Sequence, residues 1–344
     1  MKRGLIGGVG FAVALAASLA LAPAAHAQDK EVQLKISLWI PPAHPLVPAT
    51  QAWAADIEKA SNGTIKSTVF PSEQLGKAFD HYDMARDGIA DFAYVNPGYQ
   101  PGRFPVIAAG ELPFLMGDAK GGSAAFDTWY RKYATTEMKD VHFCMAFVHD
   151  PGTFHGHKKI LVPADLKGLK VRPGNATIGQ FMTLLGATNV QASAPEARDV
   201  LARGVADTIT FPWGSIILFG IDKVVSFHMD AALYVTTFVW VMNQAKYDGM
   251  SAAQKKVIDD HCTTEWAVKL ASPWADFEAD GRPKIKEEPG HDVYPLTPAQ
   301  LEEWKKAAAP LQEKWAENVR KAGTDPEKAM GELKDALKKQ NALY

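Results

Sequence analysis

One junction between a helix and a strand occurs twice in this chain, and it constrains the fold more than any other feature. The first copy reads DGIADFAYVNPGY around Gly88, and the second reads RGVADTITFPW around Gly204, about 116 residues later. In each copy a helix is predicted to stop at the glycine, and a hydrophobic residue, Ala-Asp, a short strand and a Pro-containing turn follow. Two such units predict two similar α/β lobes, each with its own open sheet.

Strands and helices alternate through the first half of the chain, as an α/β sheet requires. VQLKISLWI alternates apolar and polar residues as an opening strand, a helix is predicted from about Pro48 to Asn62, and TIKSTVF is the next strand. In open α/β sheets, ligands bind beyond the carboxyl ends of the strands. The turns at 96–99 and 211–213 are therefore predicted to face one cleft.

The last third of the chain is predicted to be helical. Ser/Thr-x-x-Gln/Glu capping boxes begin at Ser251, Thr297 and Thr324. After the second box, apolar residues recur every three or four positions and indicate one buried helix face, namely Leu301, Trp304, Ala308, Leu311, Trp315 and Val319. We predict lobe I over 28–149 and about 238–277, lobe II over 150–237 and about 278–296, and C-terminal helices over 297–344 packed on the lobes.

The first 27 residues are predicted to be a signal peptide. Lys2 and Arg3 precede an apolar stretch, which is followed by the small-residue sequence APAAHA. We expect cleavage after Ala27 and export from the cytoplasm. The most apolar later run, LYVTTFVWVMN, is much shorter than the roughly 20 residues that a bilayer span needs, so we do not expect the protein to be embedded in the membrane.

Charge and cysteine content exclude some functions and leave others open. The formal net charge is −2 and no basic stripe is present, so nucleic acid and anionic membrane are not expected partners. The two cysteines, Cys144 and Cys262, could pair in an oxidising compartment or remain buried thiols, because their spacing does not say whether they meet.

Catalytic signatures are missing from the sequence. It contains no G-x-S-x-G, H-E-x-x-H, Walker A or G-x-G-x-x-G motif. His155 and His157 could share one ion on a strand, or they could be polar residues at a crossover between the lobes. A zinc site needs three or four ligands, and no further ligand accompanies the pair at suitable spacing. We therefore predict a protein without a metal or a cofactor, and not an enzyme.

Arg172 is the strongest single candidate for binding. It ends a short apolar strand in DLKGLKVRPGN, where the Pro173-Gly174 turn should reach the cleft. A guanidinium remains charged at physiological pH, and its planar fork matches a carboxylate. From spacing alone, a surface ion pair with a neighbouring acid is an equal alternative. Aromatic residues at predicted strand ends, Trp39, Tyr94, Tyr99, Phe211 and Trp213, favour a partly aromatic pocket around one charge.

Four segments carry a family resemblance. SNGTIKSTVFPSEQLG, GELPFLM, PADLKGLKVRPGN and GVADTITFPW resemble, in order and spacing, the DctP-type solute-binding proteins of tripartite ATP-independent periplasmic (TRAP) transporters. The resemblance covers essentially the whole mature chain, and DLKGLKVR is its most specific part. It implies two α/β lobes joined by crossing strands and a long helix. It also implies binding of an organic acid that is passed to membrane permease subunits driven by an ion gradient.

The resemblance also implies roles for individual residues. Arg172 matches the carboxylate-binding arginine of the family, and Asn175 matches a nearby position that often contacts the ligand. Many relatives have Gln-Glu-Asn-Pro at the positions where this chain has Ile-Thr-Phe-Pro, residues 209–212. The phenyl ring of Phe211 therefore stands where those relatives have an asparagine amide that would bind a polar ligand. A second arginine of some relatives, expected near GTFHGHKK, is missing. These departures disfavour a sugar acid or a small dicarboxylate.

The sequence therefore predicts capture of an organic monocarboxylate, aromatic or largely apolar, between two lobes. In this hypothesis Arg172 binds the carboxylate, while Asn96, Asn175 and His155 donate orienting hydrogen bonds. The residues predicted to enclose the rest of the ligand are Trp39, Tyr99, Phe211 and Trp213, and His44 is a further ligand-binding candidate. The alternatives are a 2-oxo acid or C4-dicarboxylate in the same fold, and a secreted metal-dependent hydrolase that uses His155 and His157.

Overall fold

The structure, a computed structural model, describes residues 29–344 together with Met1 and Gly4. The predicted signal peptide and its cleavage after Ala27 therefore lie outside the described residues, apart from those two positions. Within 29–344, none of the helices is both long and apolar enough to cross a bilayer.

Strands and helices alternate along the described chain, which confirms the predicted α/β class. The strands are β1 (Val32–Ser37), β2 (Ile65–Phe70), β3 (Phe92–Val95), β4 (His142–Val148), β5 (Thr153–Gly156), β6 (Lys170–Arg172), β7 (Thr188–Asn189), β8 (Thr208–Phe211), β9 (Phe227–Asp230), β10 (Thr237–Met242) and β11 (Asp292–Pro295). The helices are α1 (Leu46–Ala60), α2 (His81–Arg86), α3 (Ala119–Glu137), α4 (Ala176–Leu184), α5 (Ala197–Ala202), α6 (Trp213–Leu218), α7 (Gln244–Asp248), α8 (Ala252–His261), α9 (Thr264–Glu287), α10 (Pro298–Lys321) and α11 (Pro326–Lys339).

The strands form two sheets of matching design. The lobe I sheet has the order β2-β1-β3-β10-β4, and the lobe II sheet has the order β11-β9-β5-β8-β6-β7. In each sheet three parallel strands are followed by an antiparallel one, β10 beside β3 and β5 beside β8. The chain thus crosses between the sheets after β4, β9 and β10. The lobe boundaries remain a prediction, because α9 packs against elements of both lobes.

The repeated sequence junction has a common structural basis, seen first in lobe I. Gly88 ends α2 with a positive φ of 76°, a conformation that glycine adopts without steric cost. Ala90 is buried, and the Asp91 carboxylate accepts the backbone N–H of Lys35 on the neighbouring strand at 2.7 Å. The ammonium of Lys35 in turn donates to the carbonyl oxygens of Gly88 and Ile89. The junction therefore locks a helix end to the start of two parallel strands.

The second copy repeats most of these contacts in lobe II. Gly204 has a φ of 66°, Ala206 is buried, and the Asp207 carboxylate accepts the backbone N–H of Lys170 at 2.8 Å. The Lys170 ammonium donates to the carbonyl oxygen of Gly204. Gly-[Ile/Val]-Ala-Asp is therefore a structural signature at the amino ends of the strands, and the cleft lies at their opposite ends.

The C-terminal helices follow the predicted pattern with one correction. The capping boxes at Ser251 and Thr297 are both formed, and the predicted apolar face of α10 is buried from Trp304 to Val319. The third box is wrong. Asp325 is the residue that caps α11, since its carboxylate accepts the backbone N–H of Lys328 at 3.0 Å and Pro326 occupies the first helical position. A carboxylate next to proline is a strong helix start in its own right.

The two cysteines are joined. Cys144, on β4, forms a disulfide with Cys262, which directly follows α8. Of the two possibilities left open by the sequence, a disulfide or two buried thiols, the structure shows the disulfide, which spans 118 residues of sequence. The bridge ties the edge strand of the lobe I sheet to the helices that cover it.

Candidate functional site

Arg172 lies at the carboxyl end of β6, in the interior of the molecule. Arg172 is only 1 % exposed. Its Nε donates to the carbonyl oxygen of Ala192 at 2.9 Å, and Nη2 donates to the hydroxyl of Tyr99 at 3.2 Å. The guanidinium carbon lies 5.4 Å from the centre of the Phe211 ring. These contacts fix the plane of the guanidinium without neutralising its charge.

No acidic side chain within the described residues pairs with Arg172. The arginines that do form ion pairs within 4.0 Å are Arg86, Arg103, Arg131, Arg203, Arg282 and Arg320. A buried charge without a counter-ion is costly, because it has lost its hydration and gained no opposite charge. The alternative of a surface ion pair therefore does not describe Arg172.

Tyr99 connects this arginine to lobe I. It ends the short turn after β3, and its hydroxyl oxygen accepts the Arg172 Nη2–H at 3.2 Å and the backbone N–H of Ala194 at 2.8 Å. A phenolic oxygen has two lone pairs, and both are engaged by these donors. The hydroxyl hydrogen must therefore point elsewhere, which makes Tyr99 a donor beside the guanidinium.

A small cavity of about 40 Å³ opens beside Arg172. Six of the nine predicted site residues line it, namely Trp39, His44, Asn96, Tyr99, Arg172 and Phe211. Among all the lining residues, Arg172 is the one lysine, arginine or carboxylate. The cavity thus combines one cation with walls that are mostly apolar, as small-molecule sites commonly do.

A roomier groove occurs beside Trp315, but it lacks a comparable anchor. Its buried acid is Glu111, and both carboxyl oxygens already accept hydrogen bonds, from Thr237 at 3.0 Å and Thr177 at 2.9 Å. Burial raises the pKa of Glu111 to about 7. A satisfied carboxyl between the lobes is a structural bridge, so the smaller cavity at Arg172 is the better candidate.

Aromatic rings form one wall of the cavity in a continuous line, which we call the aromatic arc. From Tyr99 the centre-to-centre distances are 6.0 Å to Trp39, then 6.4 Å to Phe238, 5.2 Å to Trp274 and 4.9 Å to His44. Arg172 touches the first ring of the arc and His44 is the last. The arc is therefore a series of contacting aromatic rings, tilted by 38–60° relative to one another, that leads from Tyr99 to His44.

Three polar atoms of the lining residues are buried without a hydrogen-bond partner in the described structure. They are the indole N–H of Trp39, the Oδ1 of Asn96 and the hydroxyl of Tyr234. Leaving such a group unpaired costs about 1–3 kcal/mol. Their position on the cavity wall is consistent with partners supplied by a ligand.

Asn175 does not line the cavity, contrary to the prediction. Its Oδ1 accepts the backbone N–H of Ile178 at 2.9 Å and caps α4, while Nδ2 donates to the Thr236 hydroxyl at 3.1 Å and the Val235 carbonyl at 3.3 Å. These bonds use its amide at both ends. Asn175 therefore holds the turn after Arg172 and links it to the strand crossover.

His155 and Trp213 also lie behind the cavity wall rather than on it. His155 Nε2 donates to the Phe211 carbonyl oxygen at 3.0 Å, so Nδ1 is the acceptor for His228 Nδ1 at 2.8 Å. Burial and the neighbouring His228 lower the pKa of His155 well below its usual value. The Trp213 ring meets His155 edge-on at 5.0 Å. On β5, His155 points away from the cleft, and the sequence alone could not tell the two faces apart.

The metal alternative finds no support in this arrangement. Both ring nitrogens of His155 are used in hydrogen bonds, and His157 is exposed on the loop that follows β5. In the part of the chain that the structure describes, no group of three or more His, Cys, Asp or Glu side chains is placed to hold an ion.

Asn96 joins the lobes at the edge of the cavity. Its Nδ2 donates to the Gly174 carbonyl oxygen at 3.3 Å, two residues after Arg172. Together with Tyr99 it ties the turn after β3 to the turn after β6. The duplicated junction predicted that the turns at 96–99 and 211–213 would face one cleft. Residues of both turns line the cavity, but the hydrogen bond of Asn96 reaches the turn after β6 instead.

Several lining residues were not predicted. His149, Tyr234, Phe238 and Trp274 come from the crossover strands and from α9. Their sequence context is that of ordinary core residues, and only the fold brings them to the cleft. His149 is fully engaged, since its Nε2 accepts the Thr236 N–H at 3.0 Å and its Nδ1 donates to the Asp150 carbonyl oxygen at 2.6 Å.

Glu278 supports the cavity from behind. Its carboxyl accepts the backbone N–H groups of Gly214 and Ser215 at the start of α6, the Ser215 hydroxyl, and the indole N–H of Trp274 at 2.6 Å. The group is fully buried among these donors, and burial raises its pKa to about 7. One carboxyl thus positions both α6 and a ring of the aromatic arc.

Glu278 makes stability depend on pH in a defined direction. The pKa of Glu278 is about 7 in the folded protein and 4.5 in the unfolded chain, so between these pH values the folded state binds more protons. The contribution of Glu278 to stability is therefore lost as the pH rises through this range. Glu278→Gln cannot titrate. The measured quantity is the free energy of unfolding of Glu278→Gln minus that of wild type, from urea titrations. We expect this difference to be about 2 kcal/mol more positive at pH 8 than at pH 5, because wild type alone loses stability over this range. A difference that is constant with pH would show that Glu278 is ionised throughout.

Comparisons with known proteins identify the family. The family model DctP, bacterial extracellular solute-binding protein, family 7, matches residues 36–318. A relative from Comamonas testosteroni, the outer membrane transporter protein TsaT, is 24% identical over 327 residues, which cover 92% of this chain and 94% of the relative. The match to the family model spans both sheets and most of α10.

Solved structures share the whole fold. A TRAP solute-binding protein from Rhodoferax ferrireducens T118, in complex with copurified benzoate, is 30% identical with a TM-score of 0.84, covering 90% of this chain and 98% of that one. A marine metagenome TRAP protein specific for aromatic acid ligands, with 3-hydroxybenzoate, is 31% identical with a TM-score of 0.84, covering 91% and 99%. A third protein, from Chromohalobacter salexigens and with bound D-glucuronate, has a TM-score of 0.77 and covers 88% of this chain and 99% of that one. Its sequence is 17% identical, so this likeness concerns the fold only. The chain therefore belongs to the DctP family, the periplasmic solute-binding proteins of TRAP transporters.

Proposed function

We propose that this protein captures an aromatic or otherwise largely apolar organic monocarboxylate and delivers it to TRAP permease subunits. The observation that carries the proposal is a buried Arg172 with no acidic side chain within ion-pair distance among the described residues, in a cavity whose walls are largely apolar and include several aromatic rings. A carboxylate would form a charge-assisted pair with the guanidinium and accept the Tyr99 hydroxyl hydrogen. The ligand ring would lie against the aromatic arc. The related proteins that hold benzoate and 3-hydroxybenzoate support the same ligand class.

Closure of the lobes follows from the same contacts. Tyr99 and Asn96 of lobe I bond Arg172, Ala194 and Gly174 of lobe II. A ligand that bridges Arg172 and the arc would stabilise these contacts and exclude water, which strengthens the ion pair. In this proposal the closed form is what the permease recognises. The protein acts without catalysis, after export and removal of the first 27 residues.

The rival ligands fit the cavity less well. A C4-dicarboxylate would bring a second charge into a site with one cation, and that charge would be buried without a partner. A small 2-oxo acid would satisfy Arg172 but leave most of the arc uncovered, which forfeits the apolar burial available there.

Thermal denaturation with a panel of acids tests the proposal. We expect benzoate or a ring-substituted benzoate to raise the Tm, with a stabilisation of about 2.7 kcal/mol at a ligand concentration 100 times Kd. Pyruvate, succinate and D-glucuronate should leave the Tm within experimental error. A rise with one of those three, and none with any aromatic acid, would refute the aromatic assignment. Mass spectrometry of acid released from the purified protein provides an independent identification.

A further inference from the structure

His44 has a defined protonation state that follows from its hydrogen bonding. Its Nδ1 lies 3.2 Å from the backbone nitrogen of Leu46, the first residue of α1. A backbone N–H can only donate, so Nδ1 must carry the lone pair and Nε2 must carry the proton. The residue is 1 % exposed, and burial lowers its pKa to about 3. His44 is therefore a neutral imidazole with a fixed donor at ordinary pH.

That donor lacks a protein partner within the described residues. The hydrogen bond of the ring involves Nδ1 alone, and the ring itself is held edge-on against Trp274 at 4.9 Å. His44 lines the cavity, so an acceptor inside the cavity would satisfy Nε2–H. The site thus has a second polar group besides Arg172, the Nε2–H donor of His44; we call these two groups the polar points of the site.

The successive ring contacts of the aromatic arc connect the two polar points, Arg172 and His44. Arg172 contacts Tyr99 at one end, and His44 contacts Trp274 at the other, with Trp39 and Phe238 between them. A flat molecule that places its carboxylate on Arg172 and its ring along the arc therefore extends toward His44. The far end of that molecule meets a neutral N–H donor.

We propose that His44 is a specificity-determining residue whose Nε2–H donates to an uncharged oxygen on the ring of an aromatic monocarboxylate, at the end away from the carboxylate. Hydroxyl, methoxy, nitro and keto oxygens all meet this requirement. This inference rests on the proposed function and narrows its ligand class from aromatic acids in general to oxygen-substituted ones. A second carboxylate is excluded at this end, because no cation lies there to compensate its buried charge.

Calorimetry with matched ligands tests the proposal through a ratio of affinities. The probes are benzoate, 3-hydroxybenzoate, 4-hydroxybenzoate, 4-methoxybenzoate and terephthalate, titrated into wild type, His44→Phe and His44→Gln. In wild type, we expect at least one oxygen-substituted acid to bind about tenfold more tightly than benzoate, and terephthalate to bind more weakly. His44→Phe should abolish the tenfold preference, whereas His44→Gln, which keeps an N–H at a similar position, should retain part of it.

The outcomes separate this inference from the proposed function. If His44→Phe weakens all ligands equally, or if wild type does not prefer any oxygen-substituted acid, His44 is a packing residue and the inference is wrong. If no aromatic carboxylate binds even to wild type, the proposed function itself fails.

A measurement on wild type covers the case in which His44→Phe does not fold, since the ring also caps α1. In ¹⁵N-histidine-labelled protein, the Nε2 resonance of His44 should shift downfield with the preferred substituted acid and not with benzoate. An identical resonance in both complexes would overturn the inference.

Discussion

Replacing Arg172 with alanine should weaken binding of an aromatic acid by at least about 100-fold, because truncating one partner of a buried charge pair costs about 2–5 kcal/mol or more. The substitution removes the one cation that lines the cavity and leaves the ligand carboxylate buried without a counter-ion. Tyr99 would remain as a neutral donor, which is too weak to replace the charge. Isothermal titration with benzoate, or with the acid that co-purifies, measures the change.

Two further variants sharpen that experiment. Arg203 is an exposed arginine on lobe II with a loose ion pair to Asp199 at 3.9 Å, so Arg203→Ala should leave the affinity unchanged. Arg172→Lys keeps the charge but loses the planar fork that bonds Ala192 and Tyr99, and it should fall between wild type and Arg172→Ala. Unaltered affinity in a folded Arg172→Ala protein would show that the carboxylate binds elsewhere.

Removing the disulfide should produce the largest loss of stability. The bridge between Cys144 and Cys262 closes a loop across 118 residues. In the chain-entropy model, a loop of this length restricts the unfolded state enough to stabilise the fold by about 4–5 kcal/mol, and measured values are typically about 2–4 kcal/mol. We expect Cys144→Ala combined with Cys262→Ala to lower the free energy of unfolding by about 4 kcal/mol in urea titrations.

Ligand binding provides the control for the cysteine variant. Neither cysteine lines the cavity, so the affinity of the folded double variant should stay within about twofold of wild type. Wild-type protein unfolded in the presence of a reductant should reproduce the lower stability. Equal urea midpoints for oxidised, reduced and doubly substituted protein would contradict the stabilising role of the bridge.

Local sequence patterns were enough to predict the fold class and to single out Arg172. In the repeated Gly-[Ile/Val]-Ala-Asp junction, a glycine ends a helix and an aspartate accepts a backbone N–H of the neighbouring, earlier strand. Such contacts depend on residues that are close in sequence or in adjacent strands. For the same reason the capping boxes at Ser251 and Thr297 could be recognised.

Residues that depend on long-range packing could not be predicted in the same way. Trp274 reaches the cavity because α9 crosses behind both lobes, and nothing near it in sequence distinguishes it from a core residue. His155 lies on the opposite face of its strand from the cleft because its imidazole bonds His228, 73 residues away. Asn175 resembled a ligand contact, but the start of a helix two residues from a turn gives asparagine a capping role that competes with binding.

The duplicated junction also gives the ligand a direction. Lys35 and Lys170 occupy equivalent places in the two junctions, and two residues further along each strand lie Ser37 in lobe I and Arg172 in lobe II. The two lobes thus repeat one junction between a helix and a strand, yet the cation that lines the cavity belongs to lobe II alone. A carboxylate meets a cation on one side only, so the two ways of inserting an asymmetric acid are not equivalent. Each loaded molecule should carry its cargo with the same end toward lobe II.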